Sequence, residues 1–175
     1  MHSRLAAANS PTRYKNLLGI TLGTGFGGGL VRDGQLYLGD NSAASEVWLL
    51  RNKLDPATYA EEGVSIRGAQ RVYAELCNMS EEEAPSPKDI YDIGTGRKEG
   101  NRDAAIEAYS LLGEVLGDAI ANIVTITDGL VVIGGGIAGA KELITPAMMA
   151  ELNGHYTNKK GEKYDRIVQK AFNLD

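Results

Sequence analysis

The 175-residue sequence is short of several things, and each shortage removes a class of protein. It has one cysteine, Cys77, so it offers neither an intrachain disulfide nor a cysteine-clustered zinc site. A lone thiol fits a reducing compartment, and the expectation is cytoplasmic. Positive charge is in deficit: 18 Lys and Arg stand against 23 Asp and Glu, net −5, so no nucleic-acid-binding face is expected. No apolar run reaches the ~18 residues of a membrane span. The stretch from Met1 to Ala8 lacks the apolar core of a signal peptide. The phosphate-loop pattern Gly-x4-Gly-Lys-Ser/Thr does not occur. Aromatics are few, with one Trp, two Phe and eight Tyr. The 43% apolar content still suffices for a core, and one domain is expected over residues 1–175.

What the chain has in excess is glycine. There are 22, about one residue in eight, against a usual level of roughly 7%. Thirteen fall in two clusters, Gly19 to Gly39 and Gly129 to Gly139. Glycine serves where backbone takes positive φ or comes close to a ligand, so two such clusters suggest two walls of one site. Two sharp turns with tight packing is the competing reading.

The first cluster follows a strand-like run, Leu17 to Leu22, and leads through Gly23-Thr24-Gly25-Phe26-Gly27-Gly28-Gly29 to a second, Leu30 to Arg32. Asp33-Gly34 signals a type I′ hairpin into a third strand, Gln35 to Leu38, which completes a β-meander. Residues 40–56 read as irregular or briefly helical. Apolar spacing predicts helices over 61–76, 88–93 and, from an Asn101 N-cap, to about Thr127. Gly113 and Gly117, four apart in the long helix, imply close approach of another element. The wholly apolar Leu130 to Ile133 predicts a buried parallel strand. A helix over about 138–152 containing Pro146, a polar loop over 153–163 and a short strand at Arg166 to Val168 complete the chain.

Both clusters contain the dinucleotide pattern G-x-G-x-x-G, at Gly23, Gly25 and Gly28 and at Gly134, Gly136 and Gly139. The first precedes a hairpin rather than a helix. The second lacks a following strand that ends in an acid about 20 residues on. Taken together, a Gly-Thr-Gly turn that can nest phosphates and a distant strand–Gly-Gly-Gly–helix that can flank a nucleoside give a different layout. It is that of an α/β, ribonuclease H-like (actin-like ATPase) lobe with a mixed sheet, a β-meander and packed helices.

The stretches Leu22 to Val31, Asp33 to Gly39 and Ala43-Ala44-Ser45-Glu46, together with Leu112 to Gly136, resemble ROK (repressor, open reading frame, kinase) sugar kinases over roughly residues 17–145. The resemblance implies phosphorylation of glucose or an N-acetylated hexosamine with ATP and Mg²⁺. It places Gly23, Thr24, Gly25, Gly27 and Gly28 on the ATP phosphates. Gly134, Gly135, Gly136 and Ile137 would flank the adenosine, and Glu46 would accept hydrogen bonds from sugar hydroxyls.

Three departures from the family pattern stand out. Where the family reads Gly-Glu-x-Gly-His, this chain has Ser45-Glu46-Val47-Trp48-Leu49. The Cys-x-Cys-Gly zinc segment has no counterpart, so no zinc is expected, and His2 and His155 are expected to be solvated. Neither Asp-x-Gly-Gly-Thr nor the Asn-Asp pair that carries the family's catalytic Asp occurs before the hairpin. The expectation is therefore a C-terminal nucleotide-binding lobe, without the N-terminal catalytic lobe and inactive alone. Two further readings stay open: a non-catalytic binding or regulatory remnant, or a subunit that partners a separate N-lobe. Self-association as a homodimer through the long helix is also expected.

Overall fold

The computed structural model describes residues 14–173. Strands β1 (Asn16–Leu22), β2 (Phe26–Arg32) and β3 (Gln35–Tyr37) form the meander. Asp33 and Gly34 both take positive φ, 50° and 80°, as a type I′ turn requires. β2 begins at Phe26 rather than Leu30, so Gly27 to Gly29 are strand residues paired with Thr21, Ile20 and Gly19. Their small size serves packing. A side chain on Gly27 would meet the Thr21 hydroxyl at 2.6 Å, and one on Gly28 would meet Val47 at 2.6 Å.

Helix α1 (Ile66–Cys77) starts later than its apolar spacing predicts. Ser65 is the N-cap, its side chain accepting from the Gly68 N–H at 3.3 Å, and Ala60–Glu62 forms a separate 3-10 turn. Helix α2 (Pro87–Gly94) has Pro87 in its first turn, where a missing N–H costs nothing. Helix α3 (Arg102–Thr127) is capped by Asn101, whose side chain accepts from the Ala104 N–H at 3.1 Å.

α3 is long and apolar enough to cross a bilayer, but α1, α2 and α4 (Lys141–Leu152) pack around it and make it the core helix. Gly113 and Gly117 face α4. A methyl on Gly113 would overlap the Ile144 carbonyl oxygen, and one on Gly117 would lie 2.7 Å from that of Met148. Of the long helix, only residues such as Ile106 and Ile126, near its ends, leave large apolar side chains exposed for self-association.

Strand β4 (Leu130–Gly134) pairs parallel with β1, giving the order β3-β2-β1-β4. The parallel pairing follows the prediction; full burial does not, since Val132 is half-exposed. Among the described residues β4 is an outer strand, with a neighbour on one side only. After it, Gly136–Ala140 makes a 3-10 turn ahead of α4, where one continuous helix was expected.

The polar stretch after α4 is a hairpin of β5 (His155–Thr157) and β6 (Lys163–Asp165), with His155 exposed. The strand expected at 166–168 does not form. Arg166 turns inward, donating to Asp118 Oδ1 at 2.6 Å and Asn122 Oδ1 at 2.9 Å, while Val168 is almost fully exposed. A buried guanidinium needs such partners, and the backbone follows them instead of alternating. One contiguous core joins Leu18, Ile20, Leu22 and Phe26 of the sheet to Leu112, Val115, Leu116 and Ile120 of α3. His2 lies outside the described residues.

Candidate functional site

The sheet register brings the two glycine clusters together. β1 ends at Leu22 and returns through Gly23-Thr24-Gly25 to Phe26, while Gly134 of β4 sits beside Thr21 in the parallel ladder. Both turns therefore occupy the carboxyl ends of adjacent parallel strands, where open α/β sheets bind ligands. Gly135 fixes the contact between them. It has φ 97°, and a side chain there would overlap the Leu22 carbonyl oxygen and lie 2.8 Å from the Leu22 nitrogen. Only glycine allows both that conformation and that approach.

The cleft at this end holds about 460 Å³. Thr21, Leu22, Gly23, Thr24, Gly25, Phe26, Gly27, Gly135 and Gly136 line it, with Trp48 and Glu61 brought in from the segment between β3 and α1. No atom lies within 4 Å of where a side chain on Gly23 or Gly136 would start, so both face open space. The turn is braced from behind. The Ile66 N–H at the start of α1 donates to the Gly23 carbonyl at 3.0 Å, and the Phe26 N–H donates to Glu61 Oε2 at 2.8 Å. Gly25 leaves room for that carboxylate, since a side chain would meet Glu61 Oε2 at 2.7 Å.

A braced backbone turn with a threonine hydroxyl suits an anion, because its N–H groups keep a fixed direction and need no reorganisation on binding. The one acidic side chain lining the cleft, Glu61, already spends an oxygen on the turn, and its other oxygen is 3.9 Å from Arg67.

Of the residues singled out by sequence, Gly23, Thr24, Gly25, Gly27, Gly135 and Gly136 meet in this cleft. Gly28 lies beneath Val47, and Gly134 belongs to β4 without lining the cleft. Ile137 is 6% exposed and its side chain joins the core, leaving only its backbone for a ligand. Glu46 is exposed and does not itself line the cleft. Sequence reasoning missed Trp48 and Glu61. The signal available for Glu61 was its place just before α1, and Trp48 is the chain's only tryptophan.

No protein-family model matches the chain. An N-acetyl-D-glucosamine kinase of Vibrio cholerae is 34% identical over 136 residues, which is 70% of this chain and 44% of that protein. A glucokinase structure from Parabacteroides distasonis is 53% identical with a TM-score of 0.80, covering 86% of this chain and 42% of that one. The ROK family glucokinase of Streptomyces griseus, solved with glucose and AMPPNP, shares the fold at 21% identity and a TM-score of 0.62. The chain is thus similar over most of its length to sugar kinases and has the fold of ROK family structures. It spans a little under half the length of the V. cholerae and P. distasonis relatives.

After Glu46 the chain departs from the ROK pattern described above. Trp48 and Leu49 replace the family's Gly and His, and Leu49 is exposed. The segment that follows closes on itself through its backbone: the Ala60 N–H donates to the Leu50 carbonyl at 2.6 Å and the Asn52 N–H to that of Thr58 at 3.1 Å. Asn52 is buried and its side chain accepts from the Leu54 and Asp55 N–H groups. Lys53 donates to Glu114 and Glu151 at 2.6 Å each, which ties the segment to α3 and α4. Burial opposes the charge on Lys53, but those two carboxylates hold its ammonium above the ordinary lysine range. Among the described residues, no group of three or more His, Cys, Asp and Glu side chains is placed to hold a metal.

Proposed function

We propose that this chain is the nucleotide-binding lobe of an ATP-dependent kinase for glucose or an N-acetylated hexosamine. The observation that carries the reading is the convergence of Gly23-Thr24-Gly25 and Gly135-Gly136 at one end of the β1–β4 pair. In this reading the Thr24 and Gly25 backbone N–H groups and the Thr24 hydroxyl donate to phosphate oxygens, the Gly23 N–H closing the turn onto the Gly25 carbonyl at 3.0 Å, with Gly27 keeping the strand behind them close. Gly135 and Gly136 present bare backbone to the adenosine. Glu46 accepts hydrogen bonds from sugar hydroxyls, a task suited to a carboxylate because it can accept two at once.

Mg²⁺ commonly rides on nucleotide phosphates and one or two carboxylates, and among the described residues no group of three or more His, Cys, Asp and Glu side chains is placed to hold it. Phosphoryl transfer also needs a base for the sugar hydroxyl, and the one carboxylate lining the cleft, Glu61, is engaged by the Phe26 N–H. A general base is worth about 10²–10⁴-fold, so the isolated lobe should bind without turning over. A reducing cytoplasm and a homodimer in solution belong to the same proposal.

Calorimetry with ADP and Mg²⁺, beside a coupled assay of ADP release from ATP and sugar, tests it. Heat of binding at millimolar nucleotide without turnover is the expected result. A chain that stays silent toward nucleotide would overturn the reading, and sugar-dependent turnover would overturn the assignment of the base elsewhere.

A further inference from the structure

Trp48 stands where the family has glycine, and it is the one large aromatic side chain besides Phe26 that lines the cleft. Three contacts define it. Its indole N–H donates to Glu46 Oε2 at 2.5 Å. Its ring meets Tyr59 edge-to-face, with centroids 5.6 Å apart and planes at 87°. Tyr59 in turn donates its hydroxyl to Glu62 Oε1 at 3.2 Å, and Glu62 accepts from Arg71 at 2.8 Å. The indole is thus held from two sides, by a carboxylate on its polar edge and by a ring anchored to α1.

The consequence is chemical. With its only donor engaged by Glu46, the indole has no further hydrogen bond to offer, and what it adds to the cleft lining is apolar ring surface. The axial C–H groups of a hexopyranose make an apolar face that stacks on such a surface, while the ring's hydroxyls point sideways to acceptors. The same indole N–H leaves Glu46 Oε1 unengaged by Trp48 and fixes which way the carboxylate faces. Resting on the sugar-kinase reading above, we infer that Trp48 is the sugar platform of this lobe: it stacks on the pyranose ring and positions Glu46 for the hydroxyls. It stands at the Gly position of the family pattern, beside Leu49 at the His position.

The full chain is the material for the test, with glucose and N-acetylglucosamine as probes and acyclic mannitol as control. Trp48 is the only tryptophan, so its emission reports on this site alone. Saturable change with either pyranose and none with mannitol is expected. Calorimetry gives a readout that does not depend on the indole. Trp48→Ala should weaken sugar binding about tenfold or more, and Trp48→Phe, which keeps a ring but loses the donor, by about threefold. The far-ultraviolet circular dichroism and urea midpoint of both variants should match the unmodified chain, which shows that the fold survives. Sugar heats in Trp48→Ala equal to those of the unmodified chain would overturn this inference while leaving the sugar-kinase reading intact. An unmodified chain that binds ADP and gives no sugar heat would overturn both the sugar subsite and the inference.

Discussion

Replacing Gly135 by Ala strikes the contact that sets the two glycine turns side by side. Gly135 has φ 97° and ψ 174°, a region essentially reserved for glycine, and holding another residue there costs about 1–3 kcal/mol. The added methyl would overlap the Leu22 carbonyl oxygen and lie 2.8 Å from the Leu22 nitrogen, backbone atoms that move only if the ends of β1 and β4 part. Overpacking of this kind costs about 1–3 kcal/mol more. The sum, roughly 2–6 kcal/mol, is a large share of the 5–15 kcal/mol that holds a typical domain together. Gly136→Ala is the matched control. Its methyl meets nothing within 4 Å and its φ is ordinary, so stability should stay within about 0.5 kcal/mol while the methyl enters the cleft. Urea unfolding followed by circular dichroism, with ADP calorimetry on the same samples, separates the two. Gly135→Ala should lose stability and nucleotide together; Gly136→Ala should lose nucleotide only. Equal stability of the two variants would refute the argument that Gly135 is required by the Leu22 contact.

Two further outcomes are expected. Gly113→Ala should gain about 1 kcal/mol of helix propensity yet destabilise the protein by about 2 kcal/mol net, because its methyl overlaps the Ile144 carbonyl oxygen of α4; a raised melting temperature would show that α3 and α4 separate freely. The Tyr109 phenol, which donates to the Pro87 carbonyl at 2.7 Å, is pushed by burial up to about 12. Its folded value lies above the unfolded value of about 10, so its contribution is complete below pH 10 and is lost as pH climbs through 12. The loss is about 3 kcal/mol at most, and Tyr109→Phe should show a smaller drop in urea midpoint between pH 9 and pH 11 than the parent.

The parts of the fold legible in the sequence are those with strong local chemistry. Asp33-Gly34 fixes a hairpin, Asn101 caps α3, Pro87 opens α2, and Gly113 with Gly117 marks a close helix contact. Where local signals conflict with packing, the reading slips. Gly27 to Gly29 suggest a loop, yet the ladder to β1 holds them extended, and Thr21 and Val47 occupy the space that side chains on Gly27 and Gly28 would need. Every residue of β5 and β6 is exposed, so the hairpin shows no apolar alternation. Arg166 imitates the start of a strand but is drawn inward by Asp118 and Asn122, partners more than forty residues away in sequence.

The site divides in the same manner. Both glycine walls are visible as clusters, but their adjacency depends on the β1–β4 pairing. Trp48 and Glu61 reach the cleft from a segment with little regular structure, which no periodicity announces.

The central claim is that one ligand engages both glycine turns at once. The most direct measurement is the backbone amide NMR spectrum of the ¹⁵N-labelled chain titrated with ADP and Mg²⁺. The account predicts the largest shifts at Gly23, Thr24, Gly25, Gly135 and Gly136, all following one saturation curve. Shifts confined to one turn, or centred elsewhere on the chain, would contradict it.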